Sequence, residues 1–186
     1  MLRRISGALS RLEAAMTYVG AALLFVIMVL VVADVFMRYV AGHPFSFTYD
    51  LVGLYLMTGL FYLVLAHAQS ARAHVAVDIL LDRFPAPARR ICEIVSCLAG
   101  GSVFALITAA GYERALDNFV SDDVLAGAIP WPTWASAALV PVGAGVLVAR
   151  LALTAVGHAA SLVTGRDLVG LAPLSGAEAA EGARVE

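Results

Sequence analysis

Four long stretches of this chain carry no charged side chain, and they restrict what it can fold into more than any other feature. They lie between Glu13 and Asp34, Asp50 and Arg72, Glu93 and Glu113, and Asp123 and Arg150. Each is close to or above the roughly 20 residues with which an α-helix, rising about 1.5 Å per residue, crosses about 30 Å of hydrocarbon. A helix satisfies its own backbone hydrogen bonds in lipid, so the runs read as helices and not as strands. The expected fold is an all-α integral membrane domain of four transmembrane helices, at about 14–38, 48–71, 91–113 and 130–152. Composition agrees. The chain is 61% hydrophobic and 14% charged, where a soluble domain carries about 45–50% apolar and about 25% charged residues. A net charge of -2 gives no reason to expect a nucleic-acid partner; the partner that the apolar runs demand is the lipid bilayer.

The start, "MLRRISGALSRLEAAMTYVGAALLFVIMVLVVADVF", has the basic opening of a signal peptide. Its apolar part exceeds an h-region of about 7–15 residues, and no A-x-A-like cleavage site follows. It is expected to stay attached as the first membrane helix. Orientation follows from the arginines, which are all twelve of the basic residues. Ten stand at the two ends of the chain and in the loop between spans 2 and 3, and only Arg38 and Arg114 stand in the other two loops. The excess of positive charge places both termini in the cytoplasm. Between spans 2 and 3, "HVAVDILLDRF" fits a short amphipathic helix on the inner interface, with Pro85 and Pro87 as the turn before span 3. Near span 4, "IPWPTW" suits a helix entry, with Trp131 and Trp134 in an interfacial aromatic belt, while Pro141 lies deeper and is expected to kink the helix. Residues 1–165 thus form one membrane domain, and 166–186, rich in Gly, Ala and Glu, form a flexible cytoplasmic tail.

Few polar residues remain to carry chemistry. Asp34 and Arg38 stand four apart with the acid first, the favourable order for a helical ion pair. They can be an interfacial pair with Arg38 reaching towards headgroups or a contact with another membrane subunit; a single acid near an interface makes a poor proton relay. Asp50 opens span 2, where it complements the helix dipole; Ser46 or Thr48 could cap that helix, and Asp50 could anchor a partner or help to orient Arg38. The acidic segment "YERALDNFVSDDVLAG" reads as a solvated outer loop or a docking surface. Cys92 and Cys97, five apart, point roughly 140° apart on a helix and so do not suit an intrahelical disulfide; they read as buried, inert thiols. His67 and His74 share a helical face but sit at one end of span 2, so facing haem ligands are not formed, and no His, Cys, Asp and Glu group has metal-ligand spacing. Nucleophile-elbow, P-loop and dinucleotide-binding motifs are missing. No cofactor and no enzymatic activity are expected.

Between residues 33 and 85 the sequence resembles the small membrane subunit of the tripartite ATP-independent periplasmic (TRAP) transporters. The first helix ends in D-V-x-x-R-Y, here Asp34, Val35, Arg38 and Tyr39. A proline and an aromatic stretch follow, and an acid then opens the second helix, with Asp50 where glutamate is usual. An arginine and an H-V-x-V-D signature come next, here Arg72, His74, Val75, Val77 and Asp78. The resemblance implies a multi-pass protein of a bacterial inner membrane. A separate periplasmic binding protein would capture an organic acid, and a large membrane subunit would carry it inward on a sodium gradient. The small subunit would scaffold the large one, with Asp34, Arg38, Tyr39, Asp50, Arg72 and His74 as candidate partner contacts. Two alternatives stand beside this: a redox subunit binding haem or quinone, with His67 and His74 as its handle, and the small four-span subunit of another carboxylate transporter.

Overall fold

A computed structural model describes residues 2–70, 85–127 and 129–164. Among them are four helices long and apolar enough to cross a membrane: α1 (Leu2–Val40), α2 (Thr48–Ser70), α3 (Ala86–Val120) and α4 (Thr133–Thr164). There is no strand among the described residues, only an isolated bridge between Val124 and Pro132. The proposed interfacial helix, with Arg72 and His74, falls outside the described residues, as does the tail.

Two ends can be distinguished. At the basal end α1 and α3 begin and α2 and α4 finish. At the loop end lie the connections 41–47 and 121–132. α3 packs chiefly on α4, α4 on α2, and α2 on α1. Across the molecule the order is therefore α1, α2, α4, α3, and the first and third helices of the chain form the two flanks. Most of their large apolar side chains, among them Phe25, Val32 and Phe36 on α1 and Leu98 and Leu106 on α3, stay exposed. In water that would be untenable. In lipid it is the expected outer surface.

Small residues set how closely the helices approach. A Cβ placed on Gly143 of α4 would stand 2.2 Å from the carbonyl oxygen of Tyr62 on α2, so the two backbones touch there and only glycine fits. Gly59 of α2 is a milder case, where a Cβ would press on the ends of the Leu23 side chain of α1 and the Leu139 side chain of α4. Membrane helices gain little from burying carbon against carbon, so such close packing carries much of their association. The buried core, Ala66, Cys97, Leu147, Leu151 and Ala155, lies where α2, α3 and α4 meet towards the basal end.

Several local expectations are corrected. α3 begins at Ala86 with Pro85 as its N-cap and Pro87 in its first turn. The two prolines therefore start the helix and do not form a separate turn, because the first turn has no need of their missing N–H groups. At its other end α3 runs through Glu113, Arg114 and Asp117 to Val120: half of the supposed acidic loop is helix. Charge ends a membrane span but not a helix. The prolines of "IPWP" precede α4, which starts at Thr133, carries Trp134 in its first turn and has Pro141 inside it. Neither Ser46 nor Thr48 caps α2; Phe47 holds that place in a helical conformation, without a side-chain cap bond, whereas a capping side chain needs an extended backbone. Cys97 is buried but Cys92 is exposed, as their angular separation requires once only one face of α3 meets a neighbour.

Candidate functional site

The loop end brings most of the sequence-selected residues into one region. Asp34 lies in the last turns of α1 and is 7% exposed. Its Oδ2 pairs with Arg38 Nη2 at 3.0 Å, the i,i+4 contact that the sequence predicts. Its Oδ1 accepts a hydrogen bond of 2.8 Å from the backbone N–H of Phe45. The second bond fastens the connection 41–47 to α1, just after the turn at Gly42, whose φ of 74 is open to glycine. The Arg38 side chain is 60% exposed, and Tyr39 beside it is 84% exposed. Asp34 is thus a structural acid held inside the protein, while Arg38 and Tyr39 are presented outward.

Asp50 stands on the far side of this connection, in the first turn of α2. Among the described residues Arg38 pairs with Asp34 and not with Asp50. Asp50 instead faces the second connection: a Cβ on Gly127 would lie 2.8 Å from its Oδ2. Immediately beyond it, Leu51–Leu56 form a π-helical turn, a widening frequent at functional sites. That turn carries Tyr55, whose hydroxyl donates to the carbonyl oxygen of Pro132 and whose ring meets Trp131 at 5.8 Å.

The connection 121–132 is itself well tied. The backbone N–H of Leu125 donates to Trp131 O at 2.8 Å, and that of Thr133 to Asp123 O at 3.0 Å. The Thr133 hydroxyl donates to Asp123 Oδ2 at 2.8 Å. Asp122 takes the left-handed conformation, φ 50, which acids tolerate better than most residues. Glu113, Asp117, Asp122 and Asp123 all reach solvent. The loop end is an ordered cap with an acidic rim and an outward arginine and tyrosine.

At the basal end lies a cluster that sequence reading missed. Glu13 of α1 is 1% exposed, and its Oε1 stands 3.5 Å from Arg150 Nε on α4. Arg150 Nη1 also reaches Ser10 Oγ at 3.4 Å, and Ser70 and His67 of α2 stand beside the Glu13 carboxylate. Three helices converge on one buried acid. In the sequence Glu13 and Arg150 served only as the ends of uncharged runs, and nothing in their spacing links them.

A groove of about 840 Å³ lies between α3 and α4, lined by residues such as Ala105, Thr108, Tyr112, Phe119, Trp134 and Pro141. It holds no charged side chain, and the Thr108 hydroxyl donates to Phe104 O at 2.7 Å. An organic anion would enter without compensation there, which is strongly unfavourable. Among the described residues no three His, Cys, Asp or Glu side chains gather as metal ligands would.

Comparison with curated proteins and with solved structures returned no match. One family description does match, over residues 27–161: Tripartite ATP-independent periplasmic transporters, DctQ component. The matched stretch begins midway along α1 and ends one turn short of the end of α4, well over half of the 186 residues. The resemblance carried by Asp34, Arg38, Tyr39 and their neighbours therefore extends through all four helices, and the chain belongs to the family of DctQ components of the tripartite ATP-independent periplasmic transporters.

Proposed function

We propose that this chain is the small permease subunit of a sodium-coupled importer of an organic acid in a bacterial inner membrane. Its role is to scaffold the large membrane subunit rather than to bind substrate. The basal end lies in the cytoplasm and the loop end faces the periplasm, where a separate binding protein delivers the acid. The observation that carries this reading is where the charges lie. Between Glu13 and Asp34, Asp50 and His67, Glu93 and Glu113, and Thr133 and Arg150, no acidic, basic or histidine side chain occurs. A transporter that binds an anion near the midplane needs an ionisable group or helices broken at that depth. Here α1, α3 and α4 are continuous, and the π-helical turn of α2 sits at its loop end, beside Asp50. The exposed apolar flanks of α1 and α3 supply ample surface against which a larger membrane protein can pack.

Uptake into proteoliposomes tests the division of labour. A melting screen on the binding protein first identifies a retained organic acid, which is then radiolabelled. Vesicles holding this chain alone should accumulate none of it, even with a sodium gradient and the loaded binding protein present. Vesicles holding both membrane subunits should accumulate it. Uptake by this chain alone would overturn the reading.

A further inference from the structure

The buried seam of α1 runs through Glu13, Met16, Gly20, Ile27 and Asp34. The steps are three, four, seven and seven residues, the period with which one helix keeps a single stripe against a neighbour in a left-handed crossing. Between the two acids the stripe is apolar: one methionine, one glycine and one isoleucine, with Gly20 seated closely against Val64 of α2. A slip of one turn, about 5.4 Å, would lose that seat but bury no charge, and lipid imposes little further penalty on the change. The acids at its ends are different. They lie 21 residues apart (34 − 13), about 31 Å along a helix at 1.5 Å per residue, which matches the roughly 30 Å of hydrocarbon.

Each acid is tied to a different part of the protein. Asp34 holds the N–H of Phe45 at 2.8 Å and Arg38 at 3.0 Å. Glu13 faces Arg150 at 3.5 Å, and the same guanidinium reaches Ser10 at 3.4 Å. Oε1 of Glu13 accepts no hydrogen bond among the described residues, so the Arg150 charge is the main group favouring the ionised acid there, with Ser70 and His67 also beside the carboxylate. We propose that Glu13 and Arg150 are a depth lock that sets the register of α1 against α2 and α4, with Asp34 as the fixed point at the other membrane face. Register specification is the best-attested use of a buried polar group in a helical seam. Slipping α1 by a turn in either direction carries Glu13 past Arg150, into hydrocarbon or away from its partner.

Burial makes the two partners unequal. The Glu13 side chain is 1% exposed and the Arg150 side chain 18%. Removing the arginine takes the paired cation from a buried carboxylate and leaves only Ser70 and His67 of α2 beside it. Removing the acid leaves a long cation that can reach the headgroups. Arg150→Gln is therefore the damaging substitution, Glu13→Gln the mild one, and the double substitution should repair the first.

Pulsed EPR on the full chain in lipid nanodiscs reads the register directly. Spin labels at Phe25→Cys and Phe61→Cys, both exposed positions on α1 and α2, are placed in a Cys92→Ser/Cys97→Ala background. The parent should give one narrow distance. Arg150→Gln should broaden it or add a population displaced by about 5 Å, and lower the apparent melting temperature by about 5–15 °C. Glu13→Gln/Arg150→Gln should recover most of the melting temperature. An unchanged distance distribution in Arg150→Gln, or a double variant no more stable than that single one, overturns the lock. If Arg150→Gln cannot be recovered from membranes, the double variant decides: parental yield supports the lock and its loss refutes it.

Discussion

Asp34 and Arg38 share an ion pair but stand in different surroundings, and substitution separates their roles. Asp34→Ala leaves the part-buried N–H of Phe45 without its acceptor, which should cost about 0.5–1.5 kcal/mol and lower the melting temperature of the isolated chain. Arg38→Ala removes an exposed pair member and should cost about 0–1 kcal/mol. If the large subunit covers Arg38 in the assembled transporter, the same substitution should reduce co-purification with that subunit while leaving the isolated chain's melting unchanged, and Asp50→Ala should do so less. Equal capture of parent, Arg38→Ala and Asp50→Ala would return these residues to local pairing and helix-dipole roles. Asp34–Arg38 was legible because a spacing of four fixes the geometry on any helix. The Phe45 contact depends on how a loop folds, and Glu13 with Arg150 depends on which helices become neighbours, so neither has a local signature.

Element boundaries show where sequence reasoning holds and where it stops. The four apolar runs locate four helices, since backbone satisfaction in lipid leaves no other local structure. The helices outlast the runs because a helix entering water keeps its own hydrogen bonds; thus α3 carries Glu113, Arg114 and Asp117 before ending at Val120. The π-helical turn at Leu51–Leu56 was not legible, since no residue pattern marks it and its contact with Pro132 comes from a distant loop. Helix contacts supply a second prediction. Gly143→Ala forces α2 and α4 apart, with its Cβ 2.2 Å from Tyr62 O, and should cost about 1–3 kcal/mol. Gly7→Ala, on α1 with nothing within 4 Å, should be neutral or stabilise by about 0.5–1 kcal/mol. Thermal melting of the two variants side by side checks the contrast; equal effects would show that close backbone approach does not hold this pair of helices.

At the scale of the whole molecule, the order α1, α2, α4, α3 leaves two long apolar flanks, and ten of the twelve arginines stand near the two ends of the sequence or between residues 72 and 90. That distribution predicts a loop end outside the cell. In a background without native cysteines, Asp122→Cys should react with a membrane-impermeant maleimide added to spheroplasts, and a cysteine at Arg11 only after lysis. The reverse pattern would invert the topology. The central claim is that this chain works as the non-transporting partner of a larger membrane protein, and affinity purification under mild detergent tests it most directly. An affinity-tagged copy expressed in its native cells should bring down the large TRAP membrane subunit in about equimolar amount, and harsher detergents that strip helix–helix interfaces should release that subunit. Recovery of the tagged chain alone under mild detergent, from cells in which the large subunit is abundant, would contradict the account.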